Sequence, residues 1–260
     1  MKNTKIISIA NQKGGVGKTT TALNLAAALK MQNKQVLLVD LDPQSNLSEY
    51  LGYQHNTTKA TISTMMSNIV NGCEMNTIHS IYRSPEGLDY IASDIQLSSA
   101  EIFLINAISR ETVLKRILKQ DELCNNYDYI IIDCLPSLGI LMVNALAASD
   151  YVIVPVQAQK FALDGISLFL NAFRMVKSNL NSELKLLGVL LTMYDNTNMS
   201  KAVYESLKNQ FYDTLFDTVI SRSVEATNST YIQKSLVSQK NSKLGKQYIK
   251  LADECLERGV

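Results

Sequence analysis

The octapeptide KGGVGKTT, residues 13–20, sets two lysines and a run of threonines around a glycine cluster. Such a turn lets backbone N–H groups converge on an anion, and a helix that follows adds the positive end of its dipole. Gly17, Lys18 and Thr19 match the second half of the phosphate-binding pattern G-x-x-x-x-G-K-[ST], but Gln12 stands where its first glycine belongs. In a loop of this kind Lys18 holds the β- and γ-phosphates, and the Thr19 hydroxyl ligates Mg²⁺. The backbone of Gly14, Gly15, Val16 and Gly17 lines the phosphates. The standard pattern has no role for Lys13. The bland alternative is a glycine turn with both lysines in solvent.

Three acids extend the chemistry. Asp40 and Asp42 close the run VLLVDLD, and i and i+2 of an extended segment face the same way, here toward the loop. Asp133 closes YIIID, and an acid after a β-branched run is positioned to hold Mg²⁺ directly or through water. Asp42-Pro43 also ends a strand and starts a turn on its own account. Three acids at strand ends beside one phosphate loop favour function over that structural reading.

The elements that must position these residues are legible. Short apolar runs at 5–10, 35–40, 88–92, 127–133, 151–156, 184–192 and 214–220 predict strands. Most are continuous rather than alternating, as in a parallel sheet covered on both faces. Helices are predicted from Thr19 to about Met31, over 98–120 and over 164–180, and the least regular region is 53–85. Alternation of β and α segments predicts an α/β, doubly wound, mostly parallel sheet flanked by helices, with its ligand at the carboxyl ends of the strands. The whole chain, 1–260, reads as one such domain.

KGGVGKTT, VLLVDLDPQSN, YDYIIIDCLPSLG, VIVPVQ and GVLLTMYD occur in the order found in the deviant-Walker ATPases of the ParA/Soj type, which segregate plasmids and chromosomes, and the likeness runs to about Arg222. The resemblance implies ATP and Mg²⁺ as cofactors and an ATP-dependent homodimer. It implies that Lys13 crosses the dimer interface to the partner's ATP, that Gly14 permits the close approach, and that Thr20 contacts the α-phosphate. Asp42 would position the attacking water, Asp40 would support the metal shell, and Asp133 would hold Mg²⁺ through water. Met193 and Ser221 are the expected adenine contacts. The implied partners are nonspecific double-stranded DNA and a centromere-bound ParB-like or ribbon-helix-helix adaptor that stimulates hydrolysis. Three departures stand out: Leu135 replaces a proline, Ser221 replaces the proline before Arg222, and the loop after TMYD lacks an arginine common there.

Composition narrows the remaining choices. The 260 residues carry a net charge of +1, so affinity for nucleic acid requires a local patch. Between Arg222 and Lys250 six basic residues face one acid, Glu225, and Arg222, Lys243 and Lys246 are the expected DNA contacts. A solvated lysine face is the plainer reading of such a run. Cys73, Cys124, Cys134 and Cys255 show neither a C-x-x-C pair nor the spacing of an iron–sulfur relative. A start on a strand and the lack of membrane-length apolar runs predict a cytoplasmic protein, and the resemblance implies that it is nucleoid-associated. The main alternative is a MinD-like membrane-associated regulator, but the C-terminal YIKLADECLERGV is short and acidic for a membrane helix. A bacterial tyrosine kinase would need a terminal tyrosine cluster, whereas the tyrosines here are scattered.

Overall fold

The computed structural model describes residues 4–54, 59–73, 76–159 and 162–260. The apolar runs form β1 (Lys5–Ile9), β2 (Val36–Leu41), β4 (Asp89–Ile91), β5 (Tyr129–Cys134), β6 (Tyr151–Gln157) and β7 (Lys185–Thr192), with a two-residue β3 (Tyr82–Arg83) at one edge. Their order is β3-β4-β2-β5-β1-β6-β7, and every pairing is parallel except β3 with β4. Helices follow as α1 (Lys18–Met31), α2 (Asn46–Tyr50), α3 (Ile62–Val70), α4 (Ala100–Ile105), α5 (Val113–Leu118), α6 (Asp121–Asn126), α7 (Ile140–Ala148), α8 (Ala162–Asn179), α9 (Asn198–Gln210), α10 (Glu225–Tyr231) and α11 (Lys243–Glu257).

Side chains alternate between two cores because successive strand residues point to opposite faces. Ile6, Val39, Ile130, Ile132 and Val154 pack with α3, α4, α5, α7 and α8. Ile7, Ile9, Leu38, Ile131 and Ile153 pack with α1, α2 and α11. Each fully buried aliphatic side chain stabilises the fold by about 1.5–3 kcal/mol. Pro155 is tolerated inside β6 because its missing N–H faces the place where β1 has already ended; its carbonyl there accepts from Asn11 Nδ2 at 2.7 Å.

Two expected elements take another form. Residues 214–220 follow β7 through isolated bridges only, Val189 with Leu215 and Tyr194 with Ser221. The chain bulges at Asp217 and Thr218, whose N–H groups donate to the Glu254 carboxylate of α11 at 2.8 and 3.0 Å. Gly188 lets the segment cross β7: a Cβ there would lie 2.5 Å from the Phe216 ring. The long helix expected over 98–120 is broken between α4 and α5, where Ser109 takes a left-handed φ of 54°. Within 53–85 the described residues form α3, a short 3₁₀ turn and β3.

Candidate functional site

β1 lies between β5 and β6, so the loop leaving it opens where the strand order reverses, the usual place for a ligand in an open α/β sheet. The loop turns through Gly15 (φ 70°) and Gly17 (φ 85°), backbone that side-chain-bearing residues adopt at a cost, and Gly17 leads directly into α1. No acid occupies the first turn of α1, which leaves its positive end to an anion. β7 and α8 brace the loop. The Thr192 hydroxyl donates to Val16 O at 2.9 Å, and Gln12 Nε2 donates to Gly165 O at 3.3 Å. Lys18 is buried, its Nζ donating to Lys13 O at 3.0 Å. Burial holds its pKa below the ordinary lysine value, against the opposing pull of Asp133, Cys134 and Asp42.

Asp40 and Asp133 are direct partners in the β2–β5 register, which brings two fully buried carboxyls together. Asp40 accepts from the Ser48 hydroxyl at 2.7 Å, Ser48 N at 2.9 Å and Asp42 N at 3.1 Å. Burial nevertheless pushes its pKa up to about 6. Asp133 is pushed well above the carboxylate range by burial and then by Asp40, with the Thr19 side chain and Lys18 opposing. Its Oδ1 finds no hydrogen-bond partner among the described residues. A buried, orphaned carboxylate oxygen beside a threonine hydroxyl suits a hydrated divalent cation and is costly otherwise. Asp42 is only half-buried; its Oδ1 accepts from Gln44 N at 2.9 Å and its side chain borders the open cleft.

That cleft, about 580 Å³, is lined by Gly14, Gly15, Gly17, Lys18, Thr19, Thr20, Asp42 and Met193 among the residues singled out in the sequence. Val16 is buried beneath it, and Asp40 and Asp133 lie under its floor. Ser221 is not on the lining: its N–H and hydroxyl are engaged by Gln247 of α11 at 2.9 and 2.8 Å. Lys13 is also off the lining, with its Nζ donating to Gln159 Oε1 at 3.3 Å. The far wall comes from Asn24, Glu49, Tyr50, Thr230 and Gln233, none of which the sequence motifs single out. Only the fold brings α2 and α10 beside the loop, so no local spacing announces them.

Arg222, Lys234, Lys240, Lys243, Lys246 and Lys250 are all exposed. On α11 the opposite face, with Leu244, Tyr248, Leu251 and Cys255, is buried in the core that also holds α1. Glu225, the acid of this stretch, turns inward to accept from Ser242 Oγ and from Leu244 N at the start of α11. The basic side chains therefore stand largely uncompensated. No described helix is long and apolar enough to cross a membrane.

A sequence family described as an AAA domain matches residues 4–186. The sporulation initiation inhibitor protein Soj of Bacillus subtilis is 43% identical over 260 residues, covering 98% of this chain and 99% of that one. A crystal structure of cobyrinic acid a,c-diamide synthase from Mycobacterium smegmatis, with bound ADP and magnesium, superposes with a TM-score of 0.84 at 34% identity, covering 98% of this chain and 94% of that one. A putative plasmid partition protein from Borrelia burgdorferi bound to AMPPNP superposes with a TM-score of 0.75 at 31% identity, over 98% of each chain.

Proposed function

The chain belongs to the ParA/Soj family of P-loop partitioning ATPases, and from that premise we propose that it is an ATP-dimerised, DNA-binding motor of DNA segregation. In this reading the dimer binds duplex DNA of any sequence, and a centromere-bound adaptor of ParB-like or ribbon-helix-helix type stimulates hydrolysis and release. The setting is the cytoplasm, on the nucleoid. The domain assignment, 1–260 as one unit with a basic segment at about 222–250, belongs to the same proposal.

One observation carries the dimer. Lys13 points away from its own cleft to Gln159, and nothing inside the protomer requires glycine at position 14. A Cβ on Gly14 would meet only Pro136, at an ordinary 3.9 Å. A lysine held only at an exposed Gln159 contact, beside a small residue that the protomer does not require, suits a second copy, whose bound phosphates Lys13 would contact.

The chain's own groups supply the rest of the mechanism. The Lys18 ammonium, which donates to Lys13 O, would hold the β- and γ-phosphates. Thr19 and, through water, Asp133 would hold Mg²⁺, with Asp40 bracing Asp133 from the next strand. The cation supplies charge neutralisation across the β- and γ-phosphates. Thr20 faces the α-phosphate. Asp42, half-buried and on the cleft, orients water and accepts its proton at the carboxylate. Met193 is the adenine contact; Ser221 reaches the base only if its Gln247 bonds open.

The MinD-like reading needs a free amphipathic helix, whereas the apolar face of α11 is already committed to the core. Light scattering on an eluting column tests the dimer. With ATP and Mg²⁺ the parent should double in mass, with ADP it should not, and Gly14→Val should remain monomeric while still binding ATP. A parent that stays monomeric with ATP, or a Gly14→Val protein that dimerises normally, contradicts the proposal.

A further inference from the structure

The wall of the cleft opposite the phosphate loop belongs to the basic segment. Thr230 and Gln233 line the cleft together with Thr20, Asn24, Glu49 and Tyr50. The Tyr50 hydroxyl, on the last residue of α2, donates to Lys234 O at 2.7 Å, and its ring is buried. Gln233 Nε2 returns a bond to Glu49 O at 2.8 Å. Asn24 of α1 donates to Thr20 O at 2.8 Å and accepts from Leu236 N at 2.8 Å. Residues 233–236 are therefore tied to two elements that border the nucleotide cleft, each time by a side chain meeting backbone.

The end of this stretch is anchored as well, Ser235 N and Oγ donating to the Glu86 carboxylate at 2.8 and 3.3 Å and Leu236 buried in the core, whereas residues 230–234 are exposed. α10 is a single seven-residue helix, and the chain leaves it through Gln233 with a left-handed φ of 51°, a strained setting for a residue with a side chain. A short, exposed helix with a strained exit lies toward the low end of local stability, so the side-chain contacts to Tyr50 and Glu49 weigh on its order. Burial pushes the Tyr50 hydroxyl up to about 12, which keeps it a donor at any physiological pH. Exposed cations accompany the stretch, Arg222 before it and Lys234 within it. The backbone of Arg222 also lies near the cleft: its N–H donates to Tyr194 O at 2.8 Å, next to Met193 of the lining.

We propose that Tyr50 and Gln233 are positioning residues that clasp the basic segment to the nucleotide cleft. Occupancy of the cleft then orders residues 225–237 and sets Lys234 and Arg222 for DNA. The inference rests on the reading above that a nucleotide fills this cleft, and it adds the path by which that nucleotide governs the DNA surface. Neither residue touches the reacting phosphates in this scheme.

Hydrogen exchange on the full chain tests it, with the parent, Tyr50→Phe and Gln233→Gly each measured without nucleotide, with ADP·Mg²⁺ and with ATP·Mg²⁺. In the parent, ATP should slow exchange across 225–237 by about tenfold. In Tyr50→Phe the slowing should shrink to less than about twofold when ATP is raised until residues 13–20 slow by the same factor as in the parent, so that occupancy is matched even if the variant binds more weakly. Gln233→Gly, which suits the left-handed backbone and so folds, should behave likewise. Duplex affinity of both variants should lose most of its dependence on ATP. A purely structural role would speed exchange equally in every nucleotide state and leave the ratio between states unchanged, which overturns the proposal. So does a parent whose 225–237 amides ignore ATP while 13–20 respond, or a Tyr50→Phe protein with the parent's slowing. A parent that responds at 225–237 and yet binds no duplex overturns the DNA reading and leaves the clasp standing.

Discussion

At the head of the central strands Lys18, Asp40 and Asp133 are buried side by side, and each is pushed from its ordinary pKa by burial first. Along α11, Lys243, Lys246 and Lys250 stand in solvent on a helix whose other face packs into the core. In the first region burial works against the charged form of each group; the second carries charge at almost no cost. A buried charged site of this kind gains its return when phosphate and cation arrive. An exposed basic face is useful only for a partner that is itself a surface. The two regions meet at α10, which lines the cleft with Thr230 and lies between Arg222 and Lys234.

The contrast can be broken most severely at Lys18. Lys18→Ala removes the one buried ammonium of the loop, and ATP affinity measured by calorimetry should fall about a hundredfold or more. Unchanged affinity would take Lys18 out of the site. Asp42→Ala should separate chemistry from binding: hydrolysis slows about a hundredfold, ATP affinity stays within a few-fold, and the dimer persists on a column with ATP. A monomer with normal turnover would remove Asp42 from its role.

A smaller effect sharpens the claim that the acids are penalised in the empty protein. Asp133 has a folded pKa above its unfolded value, so the folded state keeps its proton longer. Its contribution to stability is therefore most favourable at low pH and falls as pH rises from about 4 through the folded pKa. Asp40 adds the same trend over the span from its ordinary value up to about 6. Asp133→Asn, measured without nucleotide, should melt about 2–4 °C above the parent at pH 8 and close to it at pH 4. The same variant should lose Mg²⁺-dependent hydrolysis. A variant that melts below the parent at pH 8 would show that the carboxylate stabilises the empty fold.

The same contrast explains what was legible in the sequence. The phosphate loop is contiguous, and its glycines, Lys18 and Thr19 are spelled out within eight residues between a β-branched run and a helix. Asp40 and Asp133 are distant in sequence, yet each closes a strand, and parallel pairing does the rest. Strand content was read from continuous apolar runs, which worked where both faces are buried. It failed at 214–220, where TLFDTVI is apolar enough for a strand but Glu254 draws two of its amides out of the ladder. The helix expected over 98–120 breaks for a different reason: helical periodicity continues through Ser109, although the backbone turns left-handed there. Tyr50, Thr230 and Gln233 carry no motif, because their place on the cleft depends on how α2 and α10 pack across α1. Ser221 is expected from the loops that close that side of the pocket, and its bonds to Gln247 of α11, far along the chain, carry no local signal in the sequence.

The central claim is that nucleotide state governs a sequence-blind DNA surface, and a salt titration addresses it most directly. Binding of the parent to two unrelated duplexes would be followed across KCl concentrations with ATP and with ADP, beside an Arg222/Lys243/Lys246→Ala variant. The account predicts equal affinity for both duplexes with ATP, a steep fall as salt rises, and little binding with ADP. It predicts that the variant still dimerises with ATP but loses DNA, with a log–log salt slope shallower by about three per subunit. Equal binding in both nucleotide states, or a variant that binds like the parent, would contradict it.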